Sequence, residues 1–251
     1  MSIEKTSAIV LSLIPWRETS SIVTIFSKEY GKISGIAKGI KRTKPAAVPL
    51  ERGQIIDSVI YIKPTRSLQT LTDLQVITFY PKIRENLDKT ALRDVALELI
   101  TKSIPDSEPH PELFIRTREF FLSLEEVQKR SANFILLWRY VLEIAKHLGF
   151  GMNITKCQIC GRSEHLEESG GFLVLDRGGM ICSPCGTTLS LQHYFIGPTV
   201  LSNLHNKEFS IINSSTPEYI RLTKLLISYC RFHMDIRQDF KSVEFVEQTL
   251  I

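Results

Sequence analysis

The sequence lacks the segments that would tie it to a membrane or to secretion. It has no run of about 18 apolar residues, the length that a membrane-spanning helix needs. Residues 1–6 carry no apolar stretch of the kind found in signal peptides. We therefore expect a cytoplasmic protein without membrane contact.

Cysteine is also scarce. The chain has five cysteines, and four of them fall into two Cys-x-x-Cys pairs. This usage is typical of metal binding in a reducing compartment and not of a disulfide framework. The fifth, Cys230, lies in a predicted helix, where we expect a small buried hydrophobe and not a reactive thiol.

Motifs for catalysis are absent as well. The chain contains no P-loop, no GxGxxG and no GxSxG. Its six histidines show no metal-ligand spacing with each other. His165 and His193 lie near the cysteine pairs, but four thiolates already fill a metal site there. Adjacent carboxylates such as Glu125-Glu126 indicate a solvated surface. The sequence therefore favours a binding protein over an enzyme.

The most specific pattern present is the arrangement of the cysteine pairs. Cys157-Gln-Ile-Cys160 and Cys182-Ser-Pro-Cys185 are separated by 21 residues, which predict a small hairpin. Four thiolates fill the tetrahedral shell of a structural zinc ion and leave no position open for catalysis. The alternatives are four ordinary buried cysteines or a redox dithiol. A glycine that would tolerate positive φ follows each pair directly, at Gly161 and Gly186.

Residues 1–80 predict short β-strands, rich in Ile, Val and Thr and separated by turn residues. The predicted strands are Ser7–Ile14, Ser21–Ser27, Lys32–Ile40, Gln54–Ile62 and Leu68–Phe79. They favour a small closed barrel, since closure removes exposed edges. Periodicity alone does not separate an OB barrel from an SH3-like one. The alternation breaks between Ile33 and Ile36, which predicts a bulge at Gly35.

From Pro81 onward the apolar period becomes helical. The first predicted helix has an apolar stripe from Ile83 to Leu99. Further helices are predicted at Glu112–Gln128, Ser131–Leu148, about 198–204 and about 217–233. Thr216 is the predicted N-cap of the last one. We predict an α+β multidomain protein. Its barrel domain covers 1–80, and its helical domain covers 81–251 with the zinc module, about 153–190, inserted.

Positive charge is concentrated in the predicted barrel. Residues 1–66 hold eleven Lys or Arg and five acids, whereas the whole chain has a net charge of +4. Five basic residues and no acid lie between Lys32 and Lys44, at the end of a strand and in the loop beyond it. Such a loop suits the phosphate backbone of nucleic acid, which is bound without base contacts. The alternative is a solvated loop without a partner.

These residues together resemble a known family. The run from Ile22 to Arg42 contains Phe-Ser-Lys-Glu-Tyr-Gly and then Ala-Lys-Gly-Ile-Lys-Arg. It resembles the N-terminal domain of the bacterial RecO family of DNA repair and recombination proteins. Leu148-Gly149-Phe150 before the cysteines, and His233 followed by Lys241-Ser242, resemble that family's helical core and C-terminus. Some members lack the cysteines, so the presence of all four implies a metal-bound state here.

The resemblance implies an OB-fold N-terminal domain, a helical domain and an inserted zinc module. It implies binding of single- and double-stranded DNA, annealing of complementary strands, and assistance in loading RecA onto strands coated by single-strand-binding protein. The implied partners are RecR and single-strand-binding protein, with RecA indirectly, and the implied location is the bacterial nucleoid. The positions that match the family's DNA contacts are Lys38, Lys41 and Arg42, and charge and position add Arg17 and Lys44. Trp16, Tyr30 and Tyr61 are candidate base-stacking aromatics without a clear platform.

A competing class stays open at this stage. A zinc-stabilised module for protein interaction or transcription would have the same cysteines and an incidental basic loop. A nuclease would need an acidic metal cluster, and the sequence contains none that we recognise. The sequence leaves open the oligomeric state, the preference for single or double strands, the partner surfaces, and whether zinc serves DNA binding or only stability.

Overall fold

The computed structural model describes residues 2–38, 40, 48–186, 194–205 and 215–250. The chain divides into two compact units, Met1–Glu126 and Val127–Ile251. Among the described helices, none is both long and apolar enough to cross a membrane.

The described part of the first unit consists of a β-barrel followed by helices. In chain order the elements are β1 (Ser2–Trp16), β2 (Ser20–Ser27), β3 (Gly31–Ala37), β4 (Ile55–Ile62), β5 (Gln69–Thr78), α1 (Pro81–Glu85), α2 (Leu87–Ser103) and α3 (Pro111–Glu126). The predicted strands are therefore confirmed, and their ends differ from the predicted ones by up to five residues. The two largest differences are in the first and third strands. The first strand begins five residues earlier than predicted, at Ser2, and the third ends at Ala37 and not at Ile40.

The strands form a closed barrel in the order β1-β2-β3-β5-β4, with β4 returning to β1. All neighbouring strands are antiparallel except β3 and β5. This five-stranded barrel is of the OB type, which decides between the two barrels that the sequence left open. Buried Ile, Val and Leu side chains fill its interior, including Val10, Ile25, Ile56 and Leu71.

The bulge predicted at Gly35 is wrong. β3 pairs with β2 without a register shift from Gly31 to Ala37, and Gly35 lies opposite Val23. The alternation looked broken because Ile36 points away from the interior, which Gly35 faces. Gly35 has a packing role instead, since a Cβ there would lie 2.7 Å from Cγ of Leu71. The register shifts that the barrel does have lie elsewhere, between Val10 and Ser12 of β1 and at two places in the pairing of β4 with β5.

Helices α1–α3 belong to the same unit as the barrel. The solvated surface expected at Glu125 is wrong, because this residue is buried. Its carboxylate accepts hydrogen bonds from the backbone N–H groups of Lys82 and Ile83, both at 2.9 Å, and so satisfies the start of α1. Phe114 of α3 packs against Phe26 of β2, with ring centroids 6.0 Å apart. The division predicted at residue 80 falls two residues after β5 ends at Thr78, whereas the compact unit continues to Glu126.

The described part of the second unit combines helices with a small sheet. Its elements are α4 (Arg130–His147), β6 (Asn153–Cys157), α5 (Glu164–Ser169), β7 (Gly171–Val174), β8 (Gly179–Cys182), α6 (Ser183–Gly186), β9 (Tyr194–Ile196), α7 (Pro198–His205), α8 (Thr216–His233) and α9 (Lys241–Thr249). The sheet order is β6-β8-β7-β9. The predicted hairpin is β7–β8, in which Val174 pairs with Gly179. The last part of the predicted module, 187–190, lies outside the described residues.

Helices on either side of the sheet segment pack together, as we expected. The indole N–H of Trp138 in α4 donates to Oγ1 of Thr223 in α8 at 2.9 Å, and Phe134 stacks on Tyr219 at a centroid distance of 5.0 Å. The N-cap predicted at Thr216 is wrong by one residue. Ser215 is the N-cap, and its backbone N–H donates to the Glu218 carboxylate in a capping box.

Replacing Gly35 by alanine tests the corrected role of this residue. We expect Gly35→Ala to lower the free energy of unfolding of the barrel by about 1–3 kcal/mol, because the added methyl overpacks the interior against Leu71. Gly151→Ala is the matched control, since its Cβ would meet nothing closer than 3.5 Å. Urea unfolding measures both variants. Equal stability of Gly35→Ala and the wild type would contradict the close packing.

Candidate metal centre and nucleic-acid interface

The cysteine pairs are brought together by two parallel strands. β6 ends at Cys157 and β8 ends at Cys182, and Cys157 pairs with Met180 across the ladder. Because β6 and β8 run parallel, their carboxyl ends lie at the same edge of the sheet. The turn after β6 then supplies Cys160, and helix α6 supplies Cys185.

The four sulfur atoms form one compact cluster. Those of Cys157, Cys160, Cys182 and Cys185 all lie within 4.8 Å of one another, and the sulfurs of Cys160 and Cys182 are 3.8 Å apart. Cys157 and Cys182 are buried, Cys185 is partly exposed and Cys160 is exposed. The cluster could hold a metal ion. Cys230, in contrast, lies buried in α8, where burial raises the pKa of its thiol to about 12.

Backbone N–H groups stabilise negative charge on the sulfur of Cys157. The N–H groups of Ile159 and Cys182 donate to Sγ of Cys157 at 3.4 Å and 3.3 Å. Burial by itself would raise the pKa of the Cys157 thiol, but these donors and the N–H of Cys160 lower it to about 6. Burial raises the pKa of the Cys182 thiol to about 12. The arrangement therefore stabilises a thiolate at the end of β6.

The glycines after the two pairs have different roles. Gly161 has a φ of +71°, as the sequence predicts for such a turn, and its N–H donates to the Cys157 carbonyl at 2.9 Å. The same expectation is wrong for Gly186, which is not among the residues with positive φ in the described chain. A Cβ on Gly186 would lie 2.3 Å from the Phe172 ring, so close packing and not backbone conformation requires a glycine there.

His165 has a contact that the sequence pattern did not predict. This residue lies in α5, and its Nδ1 is 3.6 Å from Sγ of Cys182 and 4.0 Å from Sγ of Cys160. Its ring thus lies next to the sulfur cluster without being needed to complete a set of four ligands. Its position only five residues after Cys160 was the available signal. The short helix that turns the ring toward the sulfurs could not be read from the sequence.

The hairpin of the module is held to helix α8. His233 Nε2 lies 2.7 Å from the Leu175 carbonyl oxygen at the hairpin turn. The Tyr229 hydroxyl donates to the Phe150 carbonyl at 2.9 Å, and its ring packs on His233 with centroids 4.3 Å apart. These contacts fix the module within the second unit.

The predicted DNA contacts are only partly described. Lys38 is exposed and directly follows β3, whereas Lys41, Arg42 and Lys44 lie outside the described residues. Arg17 lies in the turn between β1 and β2 with a φ of +56°. Because Ser21 at the start of β2 pairs with Ala37 at the end of β3, this turn and Lys38 lie at the same end of the barrel.

Other cations of the barrel are engaged within the protein. Nζ of Lys32 lies 3.2 Å from the Asp106 carboxylate and donates to the Thr101 carbonyl at 2.6 Å. Arg52 pairs with Asp94 at 3.1 Å. These two residues add to the positive charge counted in the sequence, but they hold α2 and the segment that follows it against the barrel. Two further cations, Lys63 and Arg66, line a cleft together with Lys38. In the sequence they were visible only as part of the positive charge.

The three candidate aromatics differ in their surroundings. Tyr30 packs against the barrel core and donates its hydroxyl to Glu4 at 2.8 Å, a bond that raises the pKa of the phenol. Trp16 is 43 % exposed at the end of β1. Tyr61 is partly exposed and lines the cleft beside Lys38. Tyr30 therefore has a structural role, and Trp16 and Tyr61 remain accessible.

Comparison with known proteins gives matches along nearly the whole chain. Residues 1–80 match the family model "Recombination protein O N terminal", and residues 84–242 match "Recombination protein O C terminal". Similar curated proteins, each named DNA repair protein RecO, come from Caldanaerobacter subterraneus (26 % identity over 247 residues, 96 % of each chain), Chloroherpeton thalassium (28 % over 264 residues, 98 % of each) and Salinibacter ruber (32 % over 181 residues, 71 % of this chain and 67 % of that one).

The two family models follow each other in the same order as the barrel and the helices with their cysteine cluster. The resemblance seen in the sequence is thereby confirmed, and the chain belongs to the RecO family.

Proposed function

We propose that the chain is a mediator of DNA repair and homologous recombination that binds single- and double-stranded DNA. Membership of the RecO family supports a repair and recombination role. The observation that carries the DNA contact is the exposed Lys38 just after β3, with Lys41, Arg42 and Lys44 following within six residues in the sequence. Arg17 reinforces this end of the barrel. Such contacts neutralise phosphates and need no particular base sequence.

Annealing of complementary strands follows from this kind of contact. Two complementary strands repel each other, and a positive surface that holds both raises their rate of encounter. Contacts to the backbone leave the base edges available for pairing. No covalent step and no nucleotide hydrolysis is needed, which fits a protein without catalytic motifs.

We further propose that the chain helps to load RecA onto strands coated by single-strand-binding protein, with RecR as a partner. Family membership is the support for these partners. Weak binding that does not depend on base sequence suits the transfer of a strand to a recombinase. The place of action would be the nucleoid in the bacterial cytoplasm. The alternative of a zinc-stabilised interaction or transcription module predicts a chain without salt-dependent DNA affinity.

We propose one structural zinc ion at Cys157, Cys160, Cys182 and Cys185. Sulfurs placed about 2.3 Å from a central zinc ion in a tetrahedron are roughly 3.8 Å apart, and the Cys160–Cys182 sulfur distance is 3.8 Å. Bound zinc would link the ends of β6 and β8. With four thiolate ligands the site has no open position, so its contribution is to stability. His165 would contact two of the sulfur ligands without binding the zinc ion itself.

Metal content tests the zinc proposal. Protein purified without chelators should contain about one zinc ion per chain, because four thiolates make one tetrahedral site. Cys157→Ser should lose most of this zinc and loosen the module. Cys230→Ala is the matched control and should keep it, since Cys230 lies outside the cluster. Elemental analysis together with thiol titration measures both. A wild-type chain with free thiols and no metal would contradict the proposal.

The basic loop is tested by removing three charges. Replacing Lys38, Lys41 and Arg42 together by alanine should weaken binding to all sequences alike. The slope of log K against log salt should flatten by roughly 0.7 per lost single-strand phosphate contact or 0.9 per duplex contact. Lys28→Ala, an exposed lysine in the turn that precedes β3, is the control. Unchanged affinity and slope in a folded triple variant would move the DNA contact elsewhere.

A strand-annealing assay tests the mechanism itself. Complementary strands, bare or coated by single-strand-binding protein, are mixed with and without the chain in the absence of ATP. We expect faster duplex formation in both cases, with the effect decreasing as salt rises. Duplex formation that is no faster, or faster only when ATP is supplied, would reject charge neutralisation and favour the interaction module.

A further inference from the structure

A second basic element lies beside Lys38 on the barrel. A cleft of about 370 Å³ is lined by Lys38, Tyr61, Lys63 and Arg66, together with Leu68, Gln69, Thr70 and Thr72. Its volume falls in the range of small-ligand sites, roughly 300–1,000 Å³. Two of its basic residues, Lys63 and Arg66, come from the β4–β5 turn, far in sequence from the loop after β3.

Strand register explains why these side chains share one face. Tyr61 of β4 pairs with Thr70 of β5, and Ala37 of β3 pairs with Leu71. Ile60, Leu71 and Ala37 are buried in the barrel. Since successive side chains on a strand alternate between faces, the residues next to these three point outward. The outward face therefore carries Lys38, Tyr61, Thr70 and Thr72, which are among the lining residues of the cleft.

The β4–β5 turn is held in place before any ligand arrives. The side-chain carbonyl of Gln69 accepts from the Lys63 N–H at 2.8 Å, and its amide group donates to the carbonyls of Lys63 and Arg66 at 3.2 Å and 2.6 Å. The Arg66 N–H closes the turn on the Lys63 carbonyl at 3.0 Å. A fixed turn loses less conformational entropy when its side chains bind a ligand.

The charge of the cleft has one sign. Among the described residues, no carboxylate lines the cleft, and Lys38, Lys63 and Arg66 form no ion pair. The carboxylates of Asp57 and Asp73 line a different cleft on the same strands. An anion that reaches this face thus meets three available cations, and the acids of β4 and β5 lie elsewhere.

The cleft also offers an aromatic ring. Tyr61 is partly exposed, and across the ladder it pairs with Ile3, which is 61 % exposed. An accessible ring with cations around it is the combination with which proteins hold single-stranded nucleic acid, by stacking a base and contacting the backbone.

We propose that this cleft is a nucleotide subsite for a single DNA strand. One base stacks on Tyr61, and the flanking phosphates contact Lys63 and Arg66. A base that is paired in a duplex is stacked between its neighbours and does not reach the ring, so the subsite favours single strands. The inference rests on the proposed DNA binding and deepens it, because it names the strand form and the residues that select it.

The test uses the full chain and three labelled probes: a thymidine oligonucleotide, an abasic strand of the same length and a duplex. We expect Tyr61→Leu to weaken binding of the thymidine strand by roughly 5- to 160-fold, the range for one lost base stack. Its binding of the abasic strand and the duplex should not change. Tyr61→Phe keeps the ring and should bind like the wild type. Thermal melting checks that each variant is folded.

Charge is tested separately from stacking. Arg66→Gln should weaken binding of the thymidine and abasic strands and flatten the salt dependence, because it removes a phosphate contact. Lys28→Gln, with the same loss of charge in the turn that precedes β3, should change neither.

Two results would overturn the inference in distinguishable ways. If Tyr61→Leu and Arg66→Gln bind the thymidine strand like the wild type while the triple variant at Lys38, Lys41 and Arg42 does not, the cleft is not a subsite and the proposed DNA binding stands. If the wild-type chain binds none of the three probes, the proposed function fails and the subsite fails with it.

Discussion

The first unit depends on the pairing of one long strand along both of its edges. Residues 2–9 of β1 pair with β4, and residues 8–16 pair with β2, so β1 closes the barrel. The irregularity between Val10 and Ser12 lies close to where the strand passes from one partner to the other. Closure fixes the end of β3 and the β4–β5 turn relative to each other. The cations of the proposed DNA surface are therefore held on a rigid support.

The cysteine cluster depends on the same kind of constraint within the second unit. A parallel ladder sets the ends of β6 and β8 side by side, and each end carries the first cysteine of a pair. Backbone N–H groups then point at the sulfur of Cys157. A metal ion at this point would link the ends of two neighbouring strands in a small four-stranded sheet. Removal of the ion is therefore expected to affect this module first.

Local patterns in the sequence predicted most of the helices and strands. Errors occurred where contacts between residues far apart in the sequence determine the structure. The spacing of Cys157 and Cys160 is a local signal, and so is the apolar period of the helices. The bulge at Gly35 was inferred from β3 alone, but the structure pairs Gly35 with Val23 and faces it toward the Leu71 side chain. Grouping Lys63 and Arg66 with Lys38 required the parallel register of β3 and β5, which no local pattern encodes.

The central claim is that the barrel binds single-stranded DNA at the end of β3 and at the β4–β5 turn. The most direct test is hydrogen–deuterium exchange of the full chain at low salt, with and without a thymidine oligonucleotide. We predict slower exchange on DNA addition in peptides that cover residues 36–40 and 61–72. Exchange in the β2–β3 turn around Lys28 should not change. Slower exchange confined to residues 127–251, with the barrel unaffected by DNA, would contradict the account.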